Sequence, residues 1–310
     1  MIYLLIFVEN RISMKTKLFI LCLIFPLVFS AQNLPKLSSG KIEHIENFKS
    51  NYVQLRNVDI WLPDGYSADK KYSVVYMHDG QMLFDSTQTW NHKEWKVDEI
   101  VGSLIKNKEI KECIVVGIWN TGVDRISEYM PNKLCNQLPD SQAVVFDEKY
   151  CNNKGVQGDA YLKFIVKELK PYIDGHYSTF TQKENTVIMG SSMGSLISLY
   201  AICEYPETFG SAVCMSTAWL NFIDYHLPLG TFNYLNKNLP SPGNHQIYMD
   251  YGTGESDSSY VTTQNFVDII FKSNGYTDKN YQSKVYENAI HDEIAWSKRL
   301  NIPLKFVLKK

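Results

Sequence analysis

The stretch TVIMGSSMGSLISLY, residues 186 to 200, decides how the rest of the chain is read. Thr186 to Met189 suit a buried strand, and they run straight into Gly190, Ser191, Ser192, Met193 and Gly194, after which a helix begins at once. A G-x-S-x-G pentapeptide between a strand and a helix is a sharp turn whose glycines keep side chains out of the neighbouring backbone. Such a turn lifts the Ser192 hydroxyl clear of the chain at the carboxyl end of a strand, where it can serve as a nucleophile.

Outward from this turn, short apolar or β-branched runs alternate with longer helical ones. Strands are predicted from 53 to 63, 72 to 78, 113 to 119, 186 to 190, 211 to 216, 246 to 252 and 282 to 287. Helices are predicted over 158 to 172, 193 to 204, 259 to 273 and 293 to 299. In the first of them Leu162, Ile165, Val166, Leu169 and Tyr172 form one stripe, with Lys163, Lys167 and Lys170 off it, and the run from Pro171 to Gly175 reads as its stop. The alternation implies an α/β fold with a mostly parallel central sheet and helices on both faces. The opening strand and the PDGY turn at 63 to 66 suggest an antiparallel hairpin leading into that sheet. The polar stretch from Asn120 to Asn153 is the main insertion, and loops of such length are usually functional.

At the N-terminus Met14, Lys15 and Lys17 precede the apolar run LFILCLIFPLVFS and Ala31, the order of a secretory signal. The run is shorter than the ~20 residues a membrane-spanning helix needs, so no stable membrane anchor is expected. Residues 1 to 31 are therefore read as an upstream segment and signal peptide starting at Met14. Residues 32 to 310 are read as a single domain, exported to the periplasm or beyond the cell. The 31 basic and 33 acidic residues form no block of like charge, which argues against nucleic acid as a partner and for a small, neutral substrate. Beyond Cys22 in the signal there are Cys113, Cys135, Cys151, Cys203 and Cys214. Cys135 and Cys151 bracket a polar loop and are the candidates for a disulfide; the other three lie in apolar runs. Neither the cysteines nor the histidines have the spacing of a metal site.

A serine hydroxyl needs a base, delivered by a later loop to the same sheet edge. Three histidines follow Ser192: His226, His245 and His291. His291 stands in a short loop after the last strand; His245 lies in a turn entering a strand at its wrong end, and His226 in a loop. An acid must hold the imidazole, and the loop after 246 to 252 offers both Glu255 and Asp257. Acyl transfer also needs two donors for the oxyanion. The amide of Met193 is one by position. The amide of Gln81 is the other, because Gly80 lets the chain after the strand at 72 to 78 turn toward the nucleophile.

Six segments together carry a resemblance: YMHDGQMLFD (76 to 85), NTGVDRISEYMP (120 to 131), YLKFIVKELKPYID (161 to 174), IMGSSMGSLISLY (188 to 200), YMDYGTGESD (248 to 257) and AIHDEIAWSKRLNIPLKFVL (289 to 308). The chain resembles, over nearly all of 45 to 308, the esterase family that groups esterase D, enterochelin-esterase-like and feruloyl-esterase-like α/β hydrolases. The resemblance implies the α/β-hydrolase fold, Ser192 as nucleophile, His291 as base, and an oxyanion hole from Gln81 and Met193. Branches that read GTxxLD imply Asp257 as the acid, and branches that read GxxD imply Glu255. Ser256 departs from the leucine of the first pattern, and Ser195 from the third glycine usual in GSSMGG.

Asp79, Arg125 and Trp95 are the candidates for substrate contact. Asp79 could instead orient its loop, and Arg125 and Glu128 could form an internal salt bridge. Trp90, Trp95 and Trp119 could make an aromatic wall for a sugar or aryl group, while Trp296 reads as core. The function this predicts is hydrolysis of a carboxylic ester, small or carbohydrate-linked, by an acyl-enzyme that needs no cofactor. The alternatives are acyl transfer to another hydroxyl, hydrolysis of a siderophore ester, and a binding protein that keeps the scaffold without the chemistry.

Overall fold

A computed structural model describes residues 34 to 219 and 226 to 310, and Pro35–Lys310 form one compact unit. The expected signal segment lies outside the described residues. Among those described, no helix is long and apolar enough to cross a membrane.

Eight strands make one sheet: β1 (Lys41–Phe48), β2 (Arg56–Leu62), β3 (Ser73–His78), β4 (Cys113–Ile118), β5 (Thr186–Ser191), β6 (Ser211–Met215), β7 (Gln246–Gly252) and β8 (Tyr281–Tyr286). Their order is β1-β2-β4-β3-β5-β6-β7-β8. The first two pairings are antiparallel and the rest parallel, with β5 near the middle. Parallel strands need crossovers, and helices supply them on both faces, which is why β3 to β6 are buried along their whole length. Successive side chains point to opposite faces. In β3, Val74 and Tyr76 join the core under the helices of residues 158 to 204, while Val75 and Met77 join the core on the other face with Val101, Trp296 and Leu304.

Several expectations change. The hairpin partner of β2 is β1, and the PDGY turn leads instead to β3, which sits beyond β4. The helix from Gly158 continues through the expected stop from Pro171 to Gly175 and ends at His176. It runs as an α-helix to Phe164, widens into a π-turn over Ile165–Leu169, and resumes as an α-helix over Lys170–His176. Pro171 lacks an N–H and would crowd the preceding turn of a regular helix, and the wider turn sits directly before it. The insertion after Asn120 folds into three short helices, Arg125–Tyr129, Asn132–Cys135 and Asp140–Tyr150. Helices over Val97–Lys106, His226–Asn238 and Asn301–Val307 complete elements that the sequence did not reveal. Cys135 and Cys151 are free thiols, so the expected bridge is not formed; both are buried and behave as small apolar side chains.

The insertion is anchored by a buried ion pair. The Arg56 guanidinium on β2 donates to both carboxylate oxygens of Glu128, at 2.9 and 2.5 Å, and lies 5.0 Å from the centre of the Phe164 ring. Glu128 therefore pairs with Arg56, not with Arg125. Glu128→Gln leaves that cation buried without its counter-charge, a change that costs about 3–5 kcal/mol. We expect its thermal unfolding midpoint to drop by about 10 °C; a midpoint within a degree of the parent protein would show that the pair contributes nothing to stability.

Candidate active site

β5 ends at Ser191 and an α-helix begins at Met193 (Met193–Glu204), so Ser192 must turn the chain in a single residue. It does so with φ 55° and ψ −122°, a conformation costing about 1–3 kcal/mol for a residue with a side chain. Two backbone contacts hold it there. The Ser192 amide donates to the Met215 carbonyl at 3.0 Å, and its carbonyl accepts from Ala218 at 3.2 Å. The turn also needs Gly190, since a Cβ there would stand 2.8 Å from the backbone of Gly194.

Ser192 lines a cleft of about 800 Å³, and His291 lines the same cleft. His291 Nδ1 is 2.5 Å from Asp257 Oδ1. Asp257 is fully buried, and its second oxygen accepts from the Gly252 amide at 2.9 Å and the Ser216 hydroxyl at 2.6 Å. Burial alone would raise the Asp257 carboxyl, but the hydrogen bonds from His291 and Ser216 outweigh it and hold the group below the ordinary carboxylate value. An ionised carboxylate can only accept, so the Nδ1 atom carries a proton, and in the neutral ring Nε2 is left with a lone pair. That is the tautomer a general base requires.

Between the two acids the geometry is unequal. Asp257 sits in a 3₁₀ turn, Glu255–Tyr260, that buries it beside β7, whereas Glu255 is exposed at φ 48°. His245 is buried at the far end of β7 with its ring nitrogens against the carbonyls of Ser241 and Pro206. His226 opens a helix instead of lying in a loop.

The expected oxyanion donors come from two elements. Met193 is the first residue of its helix, where an amide has no partner within the helix. Gln81 lies in a one-turn 3₁₀ helix, Gly80–Met82, entered through Asp79 at φ 57°. Gly80 rests directly on β4; a Cβ there would come within 2.5 Å of the Gly117 backbone. Asp79 and Arg125, expected to contact substrate, are paired with each other. Arg125 Nε and Nη2 donate to the two Asp79 oxygens, each at 2.8 Å, and Asn120 Nδ2 donates to Oδ1 at 2.7 Å. Against the raising effect of burial, Arg125 keeps Asp79 ionised below the usual carboxylate range. Both residues line the cleft, and their bonds fasten the Gly80 turn to the loop after β4.

The aromatic side chains divide. Trp95 is buried and stacks on Trp296 at 5.3 Å, and Trp296 in turn sets its ring edge-on to His291 at 5.0 Å. Trp296 is thus core that also packs against the His291 ring. Trp90 is 83% exposed at the cleft rim. Trp119 belongs to no such wall: its indole N–H donates to Asp59 at 2.5 Å, and His44 packs beside it. The rim segment carrying Trp90 is tied to the loop of His291, by Lys93 to Asp292 at 2.8 Å and by Asn91 to Glu293 at 3.0 Å. Ser216, Asn120 and these rim pairs were not predicted. For Ser216 a signal existed, since it directly follows β6 at the same sheet edge as Ser192.

This geometry has counterparts. The chain is 24% identical over 232 residues to the Uncharacterized protein YjcH of Bacillus subtilis, covering 74% of this chain and 80% of the relative. An IroE-like serine hydrolase from Shewanella oneidensis superposes with a TM-score of 0.66 at 20% identity, over 87% of this chain and 80% of that one. A ferulic acid esterase from Anaeromyces mucronatus does so with a TM-score of 0.59 at 21% identity, over 90% and 93%. The Esterase family, described as Putative esterase, matches residues 52–306, a span that holds the sheet from β2 onward, the turn at Ser192 and the loop of His291. The chain therefore belongs to the Esterase family of α/β-hydrolase carboxylic ester hydrolases.

Proposed function

We propose that this chain is an exported serine esterase that hydrolyses a carbohydrate-linked carboxylic ester through an acyl-enzyme on Ser192. The observation that carries the reading is the 2.5 Å bond of His291 to Asp257 at one end of a cleft that Ser192 also lines. His291 Nε2 takes the Ser192 proton as Oγ attacks the ester carbonyl carbon. The carbonyl oxygen becomes an anion facing the amides of Gln81 and Met193. Collapse of the adduct breaks the ester C–O bond, and the departing alkoxide receives the proton from His291. Water then attacks the acyl-enzyme by the same route, releasing the acid and restoring the serine.

A sugar-linked substrate is favoured by the exposed Trp90 ring at the rim, since flat rings suit sugar faces. The likeness to a ferulic acid esterase supports an ester substrate. Export is supported by the charge and apolar run of residues 14 to 31.

A fluorophosphonate probe tests both parts. It should label the chain in the exported fraction of cells, and the Ser192→Ala variant should stay unlabelled. Label confined to the cytoplasmic fraction rejects export. A folded, purified protein that takes no label rejects the nucleophile and leaves a binding protein on a hydrolase scaffold.

A further inference from the structure

Behind the cleft lies a buried ion pair that the proton transfers at Ser192 do not involve. Arg299 donates to Asp250 at the end of β7 through Nε at 3.2 Å and Nη2 at 3.0 Å, with the Arg299 side chain 3% exposed and that of Asp250 fully buried. Desolvating two charges is expensive, and apolar side chains of similar size often serve stability as well. A second set of contacts gives the pair a purpose. Arg299 Nη2 also donates to the Ser216 hydroxyl at 3.0 Å, and so does Trp296 Nε1, again at 3.0 Å. The same hydroxyl lies 2.6 Å from Asp257 Oδ2.

A hydroxyl has one proton and two lone pairs, while guanidinium and indole nitrogens can only donate. With both lone pairs engaged by Arg299 and Trp296, the Ser216 proton has a single destination, the Asp257 carboxylate. The backbone reinforces this. Ser216 is held at φ 47° just past β6, and its amide donates to the Asp250 carbonyl at 2.7 Å. Asp250 thus grips Ser216 through the main chain and aims Arg299 at it through the side chain.

We infer that Ser216, oriented by Arg299 and Trp296, is a positioning residue that fixes the rotation of Asp257 and, through it, the ring of His291. The inference rests on the reading of Asp257 and His291 as acid and base. With Ser216 in place, Oδ2 is locked by two donors, and Oδ1 is left facing His291 Nδ1 in one orientation. Without it, the Gly252 amide is the remaining donor to Oδ2 among those described.

Two variants test the role, Ser216→Ala and Ser216→Gly. Both delete the hydroxyl, and glycine adopts φ 47° without strain, so the pair guards against a failure to fold. With 4-nitrophenyl acetate, kcat should fall about 10- to 100-fold while KM stays within about threefold and the unfolding midpoint within a few degrees, because ground-state binding is untouched and only orientation of the base is loosened. A folded variant of either kind with kcat within about twofold of the parent overturns the proposal. So does a loss of kcat that comes with a matching rise in KM and a midpoint lower by ten degrees or more, about what loss of several kcal/mol of packing produces. Ser192→Ala is assayed alongside: if it retains full activity, the acid and base reading itself fails, whatever Ser216 does.

Discussion

Ser192→Ala is expected to lower kcat on 4-nitrophenyl acetate by about 10⁴- to 10⁶-fold, leaving KM close to that of the parent protein. The size of the effect follows from what the hydroxyl does. In the proposed cycle every later event, from the tetrahedral anion to the second attack by water, takes place on an adduct to this one oxygen. When nucleophile and base act as a unit, deleting either removes nearly the whole chemical advantage, and what remains is the help the oxyanion donors give to direct attack by water. Binding should persist because alanine removes one atom from the cleft wall and leaves Trp90, Gln81 and Asn120 in place. The fold should tolerate the change as well, since the strained turn is held by main-chain bonds to Met215 and Ala218 that alanine keeps. Steady-state kinetics with purified protein decide the matter, and a kcat within tenfold of the parent would refute the nucleophile.

For the acid, Asp257→Asn should lower kcat by about 10⁴-fold, whereas Glu255→Gln should change it by less than twofold. The first figure reflects the tautomer more than the lost charge. Two donors, the Gly252 amide and the Ser216 hydroxyl, face one side of the group at 257, so an asparagine must turn its carbonyl oxygen to them. Its NH₂ then points at His291 Nδ1 and forces that nitrogen to accept. The ring proton moves to Nε2, and the base can no longer take the serine proton. Glu255 is exposed and stands apart from this arrangement, so its amide should be silent. Equal losses in the two variants would mean that the loop after β7 matters as a whole, and the assignment of Asp257 would fall.

The sharp turn at Ser192 was legible because its cause is local. The strand, the glycines and the helix that shape it are contiguous from Thr186 to Glu204. The sequence favoured Asp257 but left Glu255 open as the acid, because the two stand two residues apart and only the sense of a short 3₁₀ turn decides which one faces inward. β1 escaped notice for a different reason: as an edge strand it has no fully buried residue, and so no apolar signal to read. Pro171 misled because a helix stop and a helix that widens before a proline look alike in one dimension. The pairs Asp79 with Arg125 and Arg56 with Glu128 join residues from distant segments, and no spacing in the chain announces them. Ser216 could be placed by its position after β6, but its partners Asp257, Trp296 and Arg299 come from later segments that no spacing links to it.

The two ties between the Trp90 segment and the His291 loop make the cleft rim and the His291 imidazole parts of one frame. Lys93 and Asn91 act as cross-braces, so dilating the mouth to admit a bulkier alcohol pulls on the residues that flank the imidazole. Widening the entrance is then expected to disturb the histidine loop as well. A descendant of this protein that takes larger molecules would first have to cut those braces, and it would need some other means to steady its histidine.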